Sequence, residues 1–280
     1  MALEGVDVSH SNAVIDWPRV KAAGISFAFV KTTEGLHFVD SQWKTNVAGC
    51  RREGIVPGQY HFYRHDVDPE AQAAFFLQTL GTHEPGDLPP AIDVESPGDG
   101  SGPISYPPTE VVHRVGLVVD AVQRELRIAP LIYTYPSVWA DIAGNSNAFV
   151  ETCPLWIASY AATPRLPGGW KDYAVWQYTD HGRVDGISTI VDRDRIGGDA
   201  AQLDALRART LAKSGMAIFT QDANVREEAG LTAPIVKALR RGTGAVIVDG
   251  PVMVKDRDWW KIDDGEGTVG WSSSKVLSPA

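Results

Sequence analysis

Apolar residues in the first two hundred positions gather into short runs, separated by stretches in which they recur every three or four places. The runs read as strands: GVDVSH (5–10), ISFAFVKTT (25–33), VPGQYHFYR (56–64), PPAIDVES (89–96), PLIYTY (130–135), PLWIASY (154–160), YAVWQYT (173–179) and GISTIVDRD (186–194). Several are almost continuously apolar, as strands covered on both faces are. Between them, PPTEVVHRVGLVVDAVQREL sets Val111, Val115, Val118, Val122 and Leu126 on one helical stripe. DPEAQAAFFLQTL opens with Asp68 as an N-cap and Pro69 in the first turn. Such alternation predicts an α/β fold with a mainly parallel sheet. Eight strands predict an irregular (β/α)8-like barrel. The spacing from 173 to 194 is too short for a crossover helix, so the irregularity is expected there. DAAQLDALRARTLA (199–212) reads as a closing helix.

The pattern changes at about residue 215. Short strands punctuated by Gly-rich turns replace the βα units, predicting a small all-β antiparallel barrel. The expected organisation is a barrel over 1–212, a linker at 213–216 and a small domain over 217–280. Charge separates the same two parts: of the formal net charge of −9, residues 216–280 carry −1 and the rest −8.

An acidic chain has nothing with which to neutralise phosphates, so nucleic acid is not an expected partner. No run of about eighteen apolar residues is present to span a membrane. MALEGVDVSH lacks the basic and apolar parts of a secretory signal. That fits synthesis in the cytoplasm with release by another route, or export with the signal already removed. Two cysteines, Cys50 and Cys153, are too few for a disulfide framework or a metal cage; free thiols are expected, with a single disulfide left open. A monomer is the default.

Candidate chemistry sits at strand ends, where barrel enzymes build their sites. AIDVE ends a buried strand in two acids, Asp93 and Glu95, two residues apart and therefore on one face. Asp7, Lys31, Glu34, His61, Tyr63, Tyr133, Ser159, Tyr160, Gln177, Asp192 and Asp194 fall at the other ends. Clustered carboxylates cannot all ionise freely, and one with a raised pKa can act as a general acid beside an ionised partner. Such pairs run most glycoside hydrolases. Tyr60, Phe62, Tyr133, Trp156, Trp176 and Tyr178 offer rings for sugars. The alternatives are solvated or ion-paired acids, core aromatics, or a Mg²⁺ or Ca²⁺ site. No EF-hand loop or dedicated ligand run accompanies the acids, so no metal and no cofactor is expected. His61 and His65 are four apart but in predicted extended chain, not on the helix that an H-E-x-x-H zinc pair needs, and His61 is expected to support the site by hydrogen bonding. Serine-hydrolase, Walker and dinucleotide fingerprints are missing. GDGSG (98–102) reads as a loop.

In order and spacing, GVDVSH, IDW, FVKTTEG, GQYHFYR, AIDVE, LIYT, LWIASY, VWQYT and GISTIVD resemble the lysozymes of glycoside hydrolase family 25, over about residues 4–210. The resemblance implies an irregular β/α barrel that hydrolyses the β-1,4 bond from N-acetylmuramic acid to N-acetylglucosamine in peptidoglycan. It implies Glu95 as general acid and Asp93 as the group that holds the substrate's 2-acetamido substituent. Asp7 and Asp192 would be flanking acids, with Lys31, Phe62 and Tyr133 lining the cleft and Trp176 and Gln177 in its W-Q-Y motif. Asp194 departs from the family's frequent Asn, and ESPGDGSGPISYPPTE is a long segment at the cleft rim. ANVREEAG, VKALRRGTGAVIV, WWKI and TVGWSSSKVL resemble bacterial SH3-like domains, which implies wall binding, with Trp259, Trp260 and Trp271 as candidates. The combination resembles a phage endolysin, or a bacterial autolysin without its signal. Another N-acetylhexosaminidase on the same barrel and a non-catalytic wall-binding protein are the alternative readings.

Overall fold

The computed structural model describes residues 3–81, 83–84, 86–96, 104–126, 128–208, 216–255 and 257–279. The GDGSG loop, the middle of the long rim segment, the end of the expected closing helix and all but Met216 of the expected linker lie outside them. The chain forms two compact units, residues 1–82 with 88–202, and residues 83–87 with 203–280.

In the first unit the order is β1 (Glu4–Val8), α1 (Trp17–Ala22), β2 (Ile25–Glu34), β3 (Phe38–Val39), α2 (Trp43–Arg52), β4 (Val56–Phe62), α3 (Pro69–Leu80) and β5 (Ala91–Asp93). It continues with α4 (Pro108–Leu126), β6 (Leu131–Thr134), α5 (Pro136–Ala143), β7 (Leu155–Ala158), β8 (Val175–Gly182) and β9 (Val191–Ile196), and α6 (Ala200–Ala208) follows. β1 bonds to both β2 and β9, which closes eight strands into a barrel, and β3 is a short addition on β2. Local signals set the elements. Asp68 Oδ1 accepts the Ala71 N–H at 2.7 Å and Pro69 opens α3, satisfying a donor that the first helical turn leaves unpaired. The valine stripe of α4 is buried as its spacing predicts.

Seven barrel strands are parallel, but β9 runs antiparallel to both β8 and β1. This corrects the expected eighth strand. Residues 186–190 belong to the connection, and Asp192 lies at the start of β9 rather than near a strand end. Eight residues between Gly182 and Val191 cannot hold a crossover helix, so the chain turns back as a hairpin. Reversal brings the start of β9 to the rim where the parallel strands end.

Side chains alternate around this wall. On β2, Ala28 and Val30 pack outward with Val20 and Val47 beneath the first two helices. Phe27 and Phe29 point inward, and a Cβ at Gly5 or Gly58 would overlap their rings. Ile92 on β5 and Val94 just past its end join the helix-side core with Val115 and Trp139. Asp93 is left facing the barrel interior, as period two requires.

The second unit carries β10 (Met216–Phe219), β11 (Ala223–Arg226), β12 (Ile235–Leu239), β13 (Gly244–Val254), β14 (Arg257–Asp263), β15 (Val269–Ser273) and β16 (Leu277–Pro279). They form an antiparallel sheet in the order β12-β11-β15-β14-β13-β10-β16. Among the described residues its end strands do not pair, so the sheet is open where a closed barrel was expected. Register shifts along β13 at Ile247/Asp249 and Asp249/Val252 interrupt the ladder, as bulges that bend strands do. Phe219, Val225, Ile247, Trp260 and Ile262 share the core of this unit. Trp259 and Trp260, expected as wall-binding surface, are both buried; Trp271 is half-buried.

Candidate active site

A cavity of about 330 Å³ opens at the barrel rim, with Asp7, Lys31, Asp93, Glu95, Gln177 and Asp192 in its wall. Period two along the strands accounts for much of this set. Asp7 and Ser9 follow one face of β1 into its loop, and Phe27, Phe29 and Lys31 follow one face of β2. Asp93 and Glu95 follow β5 past its end. Glu95 lies in extended chain beyond the strand, where its carbonyl accepts the His65 Nε2–H at 3.0 Å. The Val94 N–H donates to the Tyr133 carbonyl at 2.9 Å. These two bonds hold the acid-bearing segment against β6 and the loop after β4.

Gln177 is a hub between the walls. Its Nε2 donates to Asp7 Oδ2 at 2.8 Å, and its Oε1 accepts the Tyr133 and Tyr160 hydroxyls at 3.0 and 2.9 Å. Lys31 Nζ lies 2.7 Å from Glu34 and 4.7 Å from the centre of the Phe62 ring. Trp156 is buried, stacks on Phe29 with centroids 4.2 Å apart, and donates Nε1–H to Asp194 at 2.8 Å. Tyr60 and Tyr133 meet the Trp156 ring edge-on, so one aromatic cluster forms the cavity floor.

Five carboxylates, Asp7, Asp93, Glu95, Asp192 and Asp194, crowd this region, and all titrate above the ordinary range. Burial is the leading cause for each, because a low-dielectric setting disfavours the charged form. Asp93 is pushed well up by burial and then by Glu95, with Lys31 opposing. Glu95 is raised to about 7 by burial and by the Asp192 and Glu34 charges, again against Lys31. Asp7 rises well above its usual value by burial and by Asp192 and Asp194. Asp192 is raised to about 6 and Asp194 to about 8. Asp93 Oδ1 is buried and makes no hydrogen bond. The cluster therefore holds protons at neutral pH, and two of its buried oxygens, Asp93 Oδ1 and Asp194 Oδ2, have no hydrogen-bond partner among the described residues; of the two, only Asp93 belongs to the cavity wall.

The cavity wall includes Asp7, Lys31, Tyr60, Phe62, Asp93, Glu95, Tyr133, Trp156, Gln177 and Asp192 from the sequence-derived set. Trp176 is not in it. It alternates with Gln177 on β8 and so faces outward, donating to the Ser159 carbonyl at 2.7 Å and packing beside Tyr173. Ser9, Tyr135 and Asp180 also line the cavity. Ser9 and Tyr135 were findable, each being two places beyond a residue already singled out. Asp180 was not, because β8 runs three residues past its expected end. His61 is buried, its Nε2–H bonds Gln72 Oε1 at 3.0 Å, and its Nδ1 accepts the Thr33 hydroxyl at 2.8 Å. Burial lowers its pKa to about 4, so it is neutral and structural. Among the described residues, no group of three or more His, Cys, Asp or Glu is arranged to hold a metal ion.

A raised carboxyl beside a second acid, over an aromatic floor, is equipped to protonate a glycosidic oxygen. Comparison with known proteins points the same way. Residues 6–187 match the model of glycosyl hydrolases family 25. Lysozyme M1 of Streptomyces globisporus is 34% identical over 214 residues, covering 74% of this chain and 72% of that protein. The crystal structure of the lysozyme from Streptomyces coelicolor superposes with a TM-score of 0.71 at 32% identity, covering 75% of this chain and 99% of that one. The spore cortex lytic enzyme SleM of Clostridium perfringens resembles the fold over 100% of this chain and 98% of its own, with a TM-score of 0.65 at 21% identity. With the family model covering more than half of its length, the chain belongs to glycosyl hydrolase family 25 and is a glycosidase.

Proposed function

We propose that the chain is a lysozyme that cuts the β-1,4 bond between N-acetylmuramic acid and N-acetylglucosamine in peptidoglycan, with Glu95 as general acid. The observation that carries this reading is the Asp93–Glu95 pair in one cavity, with Glu95 held near neutral pKa and Asp93 Oδ1 unpartnered. Glu95 gives its proton to the leaving oxygen as the glycosidic bond breaks. The carbonyl oxygen of the substrate's own 2-acetamido group bonds to the anomeric carbon, and Asp93 accepts a hydrogen bond from the acetamido N–H, which favours its ionised form and lets it stabilise the positive charge that develops. Water then attacks the anomeric carbon, gives its proton to Glu95 and restores the acetamido group, so that configuration is retained. Asp7 and Asp192 hold water and substrate at the opposite wall, with Gln177 fixing Asp7. The second unit is an SH3-like module that binds the wall, with the part-exposed Trp271 in its contact surface.

Glu95→Gln is the test. Loss of hydrolysis by at least about a hundredfold with retained sedimentation on walls is expected. Unchanged lysis removes the assignment, and an inverted anomer in the first product removes the acetamido step.

A further inference from the structure

Just outside the cavity, beyond Lys31, two exposed rings stand together. Phe38 is 39% exposed and the His10 side chain 46%. Their ring centres are 5.4 Å apart and their planes tilted by 53°. Neither ring belongs to the cavity wall. Both are nevertheless held firmly from behind. Asp40 is fully buried, and its Oδ2 accepts both the His10 backbone N–H and the His10 Nδ1–H at 2.8 Å. Its Oδ1 accepts the Gln42 N–H at 2.9 Å. The Phe38 hairpin is pinned at three points: the β2–β3 pairing of Glu34 with Phe38, the Asp40 N–H to the Thr32 carbonyl, and the Gly35 N–H to the Phe62 carbonyl. Gly35 makes the turn with φ of 53°, which favours glycine.

A buried acid used to orient a solvent-exposed imidazole, beside an exposed phenyl ring on a fastened hairpin, is more order than packing alone requires. We propose that His10 and Phe38 form an additional sugar subsite at the mouth of the cavity, taking one N-acetylated pyranose of the glycan strand beyond the units held inside. The proposal rests on the lysozyme reading for its ligand class. Phe38 supplies an apolar face for the C–H side of a pyranose. With Nδ1 donating to Asp40, Nε2 is the ring nitrogen left to hydrogen-bond a sugar hydroxyl. The neighbouring lysine, Lys31, is engaged by Glu34, so what the platform itself offers is a ring face and a hydrogen-bonding nitrogen. Continuity with the cavity comes through that same lysine, whose ammonium lies 4.7 Å from the Phe62 ring centre and 5.5 Å from that of Phe38. Preorganisation of this kind lowers the ordering cost of binding.

The test compares peptide-free glycan fragments of two and four disaccharide units on the full chain. Wild type is expected to cleave the longer fragment with the higher kcat/KM. Phe38→Ala is expected to lose about five- to tenfold on the longer fragment, to leave the shorter one unchanged, and to melt at the wild-type temperature, while Phe38→Tyr retains the preference. Calorimetric titration of the longer fragment into Glu95→Gln, with and without Phe38→Ala, reads the same subsite without turnover. Equal loss on both fragments, no loss on either, or a loss seen only with peptide-bearing fragments overturns the proposal. If wild type cleaves neither fragment, the lysozyme reading fails, and the calorimetric pair still decides whether the rings bind sugar.

Discussion

Glu95 stands between one lysine and several acids, and its titration sets the working range of the site. Because burial raises it to about 7, it carries the proton a general acid needs below that value and loses it above. kcat/KM should therefore fall toward tenfold per pH unit above about 7, an alkaline limb visible in a pH profile on soluble fragments. Asp93→Asn should lower kcat far more than it changes KM, since an amide meets the acetamido N–H without the charge that develops later. Asp194 makes a different prediction. It is fully buried and raised to about 8 from an ordinary value of 3.8. A carboxyl whose folded pKa is raised leaves the folded state holding more protons than the unfolded chain between those values, so stability falls as pH rises through that window. Asp194→Asn keeps an acceptor for the Trp156 indole and removes the titration. Its melting temperature should match wild type at pH 4 and exceed it at pH 8 by roughly 2–8 °C, the shift that 1–2 kcal/mol produces in a domain of this size. At this scale two signals were legible: period two placed Asp93 and Glu95 together, and the ends of the strand runs gave Asp7 and Lys31. The hydrogen bonds of Gln177 to Asp7, Tyr133 and Tyr160 join residues up to 170 positions apart, and no local pattern could announce them.

Among the elements, the hairpin of β8 and β9 shows where reading along the chain stops. The short spacing excluded a crossover helix, yet strand direction follows from pairing partners, which are not local. Reversal of β9 brings Asp192 to the rim opposite Asp7, with which it pairs in register. Had β9 been parallel, the start of the strand would lie at the other end of the barrel. Strand packing also explains two glycines that no turn requires. Gly5 on β1 and Gly58 on β4 leave space for the Phe27 and Phe29 rings inside the barrel. Gly5→Ala should cost about 1–3 kcal/mol through overpacking, measured by denaturant unfolding. It should also reduce activity, because Asp7 is two residues further along the same strand and face. In the second unit, alternation marked the strands but not closure. The register shifts in β13 bend the sheet without joining its ends, and which tryptophans face inward depends on that bend.

For the molecule as a whole, catalysis belongs to the barrel, and the second unit is proposed to act through concentration at the wall. Trp271→Ala should weaken sedimentation on intact walls severalfold while leaving hydrolysis of soluble fragments unchanged; equal effects on both would make the tryptophan a structural residue only. Trp259 and Trp260 are buried, so their truncation should instead lower stability, by about 3–5 kcal/mol each. The family-level reading was legible because nine motifs keep their order along one barrel, and most of them report strand ends. The central claim, which bond is cut, is tested most directly by the new end groups. Purified peptidoglycan is digested, the fresh ends are reduced with borohydride, and the reduced sugar is identified by mass spectrometry. Reduced muramic acid is the predicted result. Reduced glucosamine would move the cut to the other linkage, and no new reducing end on several wall types would contradict the assignment of Glu95 as an acid catalyst.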